Sequence, residues 1–329
     1  MNKHRKLFRR SVVNGFFCAL LLVSGVAFAQ GYPAKPIRLV VPFAPGGAAD
    51  LVARTLSPRL SEVAGQQVVV DNRAGANGVI GVDAVAKAPP DGYTFVLTTV
   101  GSIAITPHLQ EKMPYNALRD LIPVTLAVKN PLVLVAHAAV PVKSVSELVH
   151  LASARGARLT SGSSGIGSIN HLALEQLKLM TGASITHVAY KGEGPAMTDL
   201  VGGQIDLMVV TLLVAQPFIQ AGRIRALGAL GERRPLAMPE LQTLAEAGVK
   251  GYQAEAWLGL LGPAGLSREL VGRVSNDWQR VIKDTDVRQS LVARGSDPAG
   301  TSPEEFAIYL RSEFQRYGNL VRKAHVTLE

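Results

Sequence analysis

An apolar, β-branched run that stops at a glycine-rich turn and gives way at once to helical periodicity recurs along this chain. That alternation limits its fold more than any other feature. In "RLVVPFAPGGAADLVARTL", residues 38–56, the run "PIRLVVPF" reads as a buried strand. Pro45-Gly46-Gly47 then turns the chain, and Leu51, Val52, Leu56, Leu60 and Val63 give "AADLVARTLSPRLSEVAG" one apolar helical face. Pro58 lacks a backbone N–H, so it is expected to kink this helix or restart it after Ser57. "QQVVVDN" makes a second strand, "RAGANG" a glycine-rich turn, "VIGVDAVAKA" a helix stopped by Pro89-Pro90-Asp91-Gly92, and "YTFVLTTV" a third strand. Strands separated by helices through short turns pair in parallel, with helices on both sheet faces.

Beyond this block, "DLIPVTLAVKNPLVLVAH" reads as strand interrupted at Asn130-Pro131, and "KSVSELVHLASA" opens with a capping box of Ser144 and Glu147. The pattern then restarts. "ARLTSGS" is a strand, "SINHLALEQLKLMTG" a helix stopped by Gly182, "ITHVAY" a strand and "GPAMTDLVGG" a helix. "QIDLMVV", "VAQPFIQAG" and "RIRALGAL" continue as strand, helix and strand. The strand-like "AWLGLLGPAG" is suited to lead the chain back to the first block. Two amphipathic helices close the sequence, one capped by Ser267 and one opened by Ser302, Pro303 and Glu305. The expected fold is therefore α/β with two lobes, each a mixed sheet flanked by helices, and a ligand cleft between them.

The N-terminus reads as an export signal. "MNKHRKLFRR" is basic, "VVNGFFCALLLVSGVAF" is apolar, and Ala27-Phe28-Ala29 places cleavage before Gln30, so residues 1–29 are expected to be removed. The apolar run, broken by Asn14 and glycines, is short for a bilayer span of about 30 Å. Cys18 lies mid-run behind Phe16 and Phe17, the wrong place for lipidation, and it is the sole cysteine. The mature chain thus has no disulfide and no thiolate chemistry, which suits an oxidising compartment. Without the five basic residues of the signal, 29 Lys and Arg stand against 25 Asp and Glu, a balance of +4 rather than +9. No basic cluster with interleaved aromatics appears, which argues against nucleic acid as a partner.

Two strand-to-helix turns are candidate ligand sites. In Ala44-Pro45-Gly46-Gly47-Ala48, bare amides and a helix N-terminus point at one spot, the arrangement that holds a carboxylate or similar oxyanion. Spacing excludes a P-loop and the dinucleotide fingerprint. The alternative is a plain tight turn with Asp50 as a first-turn anion. The second turn, Ser161-Gly162-Ser163-Ser164-Gly165-Ile166-Gly167-Ser168, adds hydroxyls to the same arrangement. Ser164 invites comparison with a nucleophile elbow, but Ile166 occupies the place of the second glycine, and no acid is placed to orient His171 or His187 as base. His171 is either a ligand contact or a packing residue. No histidine pair has metal-ligand spacing, so neither metal nor cofactor is expected. In "HVAYKGEGPAMTDL", Tyr190 and Lys191 can wall a pocket and balance a carboxylate, or Lys191 can be a surface turn residue. Asp206, a carboxylate beside an apolar strand, needs a partner such as a turn amide, a water or a ligand amine.

These motifs together resemble the Bug family, extracytoplasmic solute receptors of tripartite tricarboxylate transporters. The resemblance runs from Tyr32 to the C-terminal helices. It rests on "YPAKPIRLVVPFAPGGAADLVAR", "DNRAGANGVIGVDAVAKAPPDGYTFVL", "MPYNALRDLIPVTL", "SGSSGIGSINHLALEQLK", "HVAYKGEGPAMTDLVGGQIDLM", "RIRALG" and "LAEAGVKGY", in order. Ala74, Ala189 and Gln242 stand where the family tends to have proline; Ala189 bears on ligand shape more than on fold. The resemblance implies a type II-like periplasmic binding protein without catalytic activity. One lobe would comprise residues 30–127 and 253–329, the other residues 128–252. It would capture a small organic acid or amide, act as a monomer, and hand its ligand to membrane transporter subunits. The family holds the ligand carboxylate on backbone amides and hydroxyls. Carried over, that implies Ala44, Pro45, Gly46, Gly47 and Ala48 on one lobe, with Thr99, Gly101 and Ser102 at the cleft floor. On the other lobe it implies Ser161, Ser163, Ser164, Gly165, Gly167, Ser168, His171, Tyr190, Lys191 and Gly192, with Asp206 matching a family aspartate.

Overall fold

The computed structural model describes residues 31–154 and 158–324. The export signal lies outside these residues. Of the described residues, Gly31–Ala34 belong to one unit and hold no helix or strand, and those from Lys35 onward belong to the other.

Two sheets organise the second unit. The first contains β1 (Ile37–Val41), β2 (Val68–Asn72), β3 (Thr94–Thr99), β4 (Leu121–Asn130), β10 (Ala256–Pro263) and β11 (Asp297–Pro298), in the order β11-β4-β10-β3-β1-β2. The second contains β5 (Leu132–His137), β6 (Leu159–Ser163), β7 (Ile185–Ala189), β8 (Leu207–Thr211) and β9 (Ile224–Ala229), in the order β7-β6-β8-β5-β9. Both sheets are mixed. β1 runs parallel to β2 and β3, whereas β10 is antiparallel to β3 and β4. β6 runs parallel to β7 and β8, whereas β5 is antiparallel to β8 and β9. In each sheet one strand, β1 or β6, has later strands running parallel to it on both sides. Chain order reverses at such a point, which opens a crevice at the strands' carboxyl ends.

The chain leaves the first sheet after Asn130, and Pro131 separates β4 from β5, as the Asn-Pro break leads one to expect. It returns through β10, so the "AWLGLLGP" run does rejoin the first block. Helix α1 (Ala48–Ala64) follows β1, and its apolar face is buried through Val52, Ala53, Leu56 and Leu60. Pro58 does not restart it, because the helix runs on from Ala48 to Ala64, and Gly65, at a φ of 69°, ends it. Proline removes one intrahelical bond, and burial of the face outweighs that loss. Helices α2 (Val79–Ala86) and α3 (Val145–Ser153) follow, and Ser144 caps α3 by accepting from Glu147 N at 3.1 Å. Helix α4 (Ile169–Thr181) ends at Gly182, φ 71°, where its left-handed stop was expected. Helices α5 (Glu193–Val201) and α6 (Leu212–Gln220) complete the second block.

Three helices come last: α7 (Arg268–Lys283), α8 (Thr285–Ala293) and α9 (Pro303–Ala324). Sequence periodicity passed over α8, whose N-cap Asp284 accepts from Asp286 N and Val287 N. Helix α9 opens with a reciprocal box, Glu305 N to Ser302 Oγ at 3.2 Å and Ser302 N to Glu305 Oε2 at 2.8 Å. Phe306 of α9 lies against β10, where a β-carbon at Gly259 would overlap its ring. Trp257 is fully buried there, edge-on to Phe306 at 5.7 Å, and donates from Nε1 to Glu313 at 3.0 Å. This packing fixes the strand whose residues wall the site. No helix among the described residues is long and apolar enough to cross a membrane.

Candidate functional site

The carboxyl ends of β1 and β3 meet those of β6 and β8 around a cavity of about 30 Å³, which has room for about one water. Four helices begin at its walls. α1 contributes Gly47, Ala48 and Ala49; α4 contributes Ser168, Ile169 and Asn170; α5 contributes Glu193; α6 contributes Thr211. The first N–H groups of a helix have no intrahelical partner, and each N-terminus carries the equivalent of about half a positive charge. Phe43, Trp257 and Leu258 form an apolar wall. Of the lining residues, only Glu193 carries a formal charge.

Glu193 is buried, with 7% of its surface exposed. Its Oε1 accepts from Asn170 Nδ2 at 2.9 Å and Thr211 N at 3.0 Å. Its Oε2 accepts from Thr211 Oγ1 at 2.8 Å and Ala48 N at 3.4 Å. All four donors are neutral, and no ion pair to Glu193 occurs among the described residues. Burial pushes its pKa above the usual carboxylate range against the pull of these donors. Ser164 Oγ donates to Asn170 Oδ1 at 2.6 Å, which ties the second turn to the same network.

The first turn is closed by the protein itself. Ala44 N donates to Lys191 O at 3.3 Å, and Gly46 N to Asp50 Oδ2 at 3.0 Å, with Gly46 at φ 84°. Asp50 Oδ1 also accepts from Arg54 Nε and Asn72 Nδ2, each at 3.0 Å. Burial raises its pKa, but the bonds from Arg54, Gly46 and Asn72 outweigh that and hold it below the usual range. Asp50 is therefore the first-turn anion of the plainer sequence reading. The start of α5 presses on this turn so closely that a β-carbon at Gly194 would stand 2.5 Å from Pro45 O.

The second turn is braced by histidines. Ser163 Oγ lies 2.6 Å from His187 Nε2 and accepts from Gly165 N at 3.1 Å. Gly167 N donates to His171 Nδ1 at 3.2 Å, and His171 stacks on His187 at 3.8 Å. Ser168 caps α4 by accepting from His171 N at 3.2 Å. Burial, then the His171 charge, pushes the His187 pKa down to about 4. Glu175 sits at about 2: burial raises it, and its contacts with His171 and Lys178 more than reverse this. Ser164, the serine weighed as a nucleophile, bonds Asn170 rather than a histidine. Ser163, which does touch one, is fully buried and absent from the cavity wall.

Of the residues singled out by sequence, Gly47, Ala48, Thr99, Ser164 and Ser168 line the cavity. Ala44, Pro45, Gly46, Gly165, Gly167 and Gly192 shape the backbone around it, and a β-carbon at Gly101 would come within 3.4 Å of Ser168 Cα. The others serve elsewhere. Ser102 is buried and donates to Asn77 O at 2.8 Å, and Ser161 is buried within β6. Tyr190 donates to Asp199 Oδ2 at 2.7 Å, and the Lys191 side chain is exposed rather than facing the cavity. Asp206 precedes β8 at the end opposite Thr211, where it accepts from Thr160 N at 2.8 Å and Thr160 Oγ1 at 2.9 Å. Its partners are thus an amide and a hydroxyl of strand β6, rather than the turn amide, water or ligand amine that its polarity suggested. Sequence reasoning missed Asn130, Asn170, Glu193, Thr211 and Trp257. The one available cue was the acidic residue of "KGEGP", placed at the start of a helix.

Two mixed α/β sheets whose strand ends and helix N-termini share one cleft define a solute-binding protein of the periplasmic type. The chain belongs to the TctC family, the tripartite tricarboxylate transporter family receptors, which it matches over residues 52–326. It is 34% identical to Protein BugT of Bordetella pertussis over 98% of this chain and 99% of that protein. Among solved structures, R. palustris Rpa4515 with adipate superposes with a TM-score of 0.88 at 35% identity, covering 90% of this chain and 99% of the other. MatC from Rhodopseudomonas palustris with bound malate superposes with a TM-score of 0.84 at 30% identity, covering 88% and 100%. The Bug-family resemblance read from the motifs is thereby established.

Proposed function

We propose that this chain captures a small carboxylated compound, or a related amide, in the periplasm and delivers it to the membrane subunits of a tripartite tricarboxylate-type transporter. The observation that carries this reading is the convergence of four helix N-termini on one largely apolar cavity. Such a site attracts an anion through neutral amides and hydroxyls while its walls exclude water. The adipate and malate in the two relatives add the ligand class.

In this reading the protein acts as a monomer without turnover, and residues 1–29 direct export before cleavage at Gln30. Residues 30–127 and 253–329 form one lobe and residues 128–252 the other, a division near the passages of the chain between sheets at Pro131 and again before Ala256, with Val128–Asn130 still in β4 of the first sheet. The cavity is too small for an organic acid as it stands, so binding requires the lobes to part and close again.

A thermal-shift screen of residues 30–329 against small carboxylic acids and amides tests the proposal. A ligand at about 100 times its Kd adds about 2.7 kcal/mol to the folded state, and one chemical class should raise the Tm clearly. A flat response to the whole panel, from protein first unfolded and refolded to strip any carried ligand, would contradict it.

A further inference from the structure

The Glu193 carboxylate occupies a position built for an anion. It is held by a helix N-terminus, a backbone amide, a hydroxyl and a side-chain amide, with no cation beside it. An ionised carboxylate offers about four acceptor sites, and four donors fill those of Glu193. It therefore has no lone pair left for an incoming N–H donor, and in the ionised form, which these four donors favour against burial, its charge lies in a cavity with little water to screen it.

The donors come from both halves of the cleft. Ala48 belongs to the element following β1, whereas Asn170 belongs to the helix following β6 and Thr211 ends β8. Gly194 allows the α5 start to lie directly on Pro45, so the carboxylate is delivered to Ala48 by backbone packing as well as by its own hydrogen bonds. The aggregate positive potential of four helix N-termini is nominally about two charges. Glu193 neutralises part of it. What remains suits one further carboxylate, and a second would face Glu193 across an apolar cavity.

We infer that Glu193 is a resident carboxylate standing where one end of a dicarboxylate would otherwise bind, and that it sets the ligand class of this chain to monocarboxylates with a neutral far end. This rests on the receptor reading and sharpens it. The relatives solved with adipate and malate hold dicarboxylates, and the inference sets this chain's ligand class apart from theirs.

The test is a calorimetric titration with two matched probes, adipate and its monoamide, on residues 30–329 as wild type, Glu193→Ala and Glu193→Gln. The wild type should bind the monoamide at least tenfold more tightly than adipate. Glu193→Ala, with the anion position vacated, should shift that ratio at least tenfold towards adipate. Glu193→Gln keeps the side-chain volume and should shift it the same way, which covers the case in which the alanine variant folds poorly. Preference of the wild type for adipate, or an unchanged ratio in both variants, would overturn the inference. So would failure of every variant to bind either probe, since the vacated position should accept adipate. A thermal shift of the wild type with some other acid would leave the receptor reading standing in each of these cases.

Discussion

The two glycine-rich turns look alike in sequence, yet they are stabilised by opposite chemistry. At Ala44–Ala48 the amides are answered by carboxylates of the protein itself, Asp50 from within α1 and Glu193 from α5. At Ser161–Ser168 no carboxylate among the described residues hydrogen-bonds the turn; hydroxyls and imidazoles satisfy it through Ser163, Ser168, His171 and His187. A strand, a glycine turn and a helix N-terminus announce that an acceptor will sit there. They do not say whether it comes from the ligand or from the chain.

Replacing Asp50 tests this contrast most severely. Asp50→Ala removes the hydrogen bonds that Gly46, Arg54 and Asn72 donate to a buried carboxylate, and a hydrogen bond to a charged group contributes about 1.5–3 kcal/mol. A fall in the denaturation midpoint of that size is expected, with no comparable fall for Ser164→Ala. Gly194→Ala comes next. Its β-carbon would collide with Pro45 O, and overpacking of this kind costs about 1–3 kcal/mol, so ligand affinity should drop about 5- to 150-fold where that cost falls on the ligand-binding form.

The turns should also fail in different pH windows. The folded pKa of Asp50 is lowered, so its contribution is present above its unfolded value of 3.8 and is lost as pH falls through the lower folded value. The folded pKa of His187 is also lowered, from 6.5 to about 4, which favours the neutral ring. Its contribution is present above 6.5 and fades as pH falls from there towards 4. Amide exchange should therefore rise at Gly165 and Gly167 on acidification to pH 5 while Gly46 stays protected. Simultaneous loss of protection at both turns would break the distinction, and His187→Gln should flatten the response of the second turn.

Smaller effects sharpen the picture. Ser164→Ala removes one hydrogen bond to Asn170 and should cost about 1 kcal/mol. Gly47→Ala should be close to neutral, since its β-carbon would meet nothing nearer than 3.7 Å at a φ of −85°. Melting curves of both variants check this. A large loss at Gly47 would mean that ligand, rather than protein, fills the space above it.

Much of the fold was legible because period and punctuation agreed. β1 with α1, the Ser144, Ser267 and Ser302 caps, the Gly182 stop and the return of β10 all follow from local chemistry. The restart offered at Pro58 does not occur because tertiary burial of α1 outweighs one lost backbone bond. The site was half legible. Glycines and N-caps mark where backbone amides converge, so Gly47, Ala48 and Ser168 could be named. Glu193, Asn170 and Thr211 could not, because their roles exist only when α4, α5 and β8 are packed beside α1. Asp206 attracted notice as a carboxylate beside an apolar strand, but its partner Thr160 lies at the far end of that sheet. Sequence shows polarity, and not which end of a strand faces the cleft.

The most direct measurement is an amide-resolved NMR titration of residues 30–329 with the acid or amide that gives the largest thermal shift. The account predicts that saturation moves the amides of Ala48, Ala49, Ile169, Asn170 and Thr211 together, with one Kd. Shifts confined to another part of the molecule, such as the polar cavity bordered by Lys129, Arg233 and Asp297, with these five amides unmoved, would contradict it.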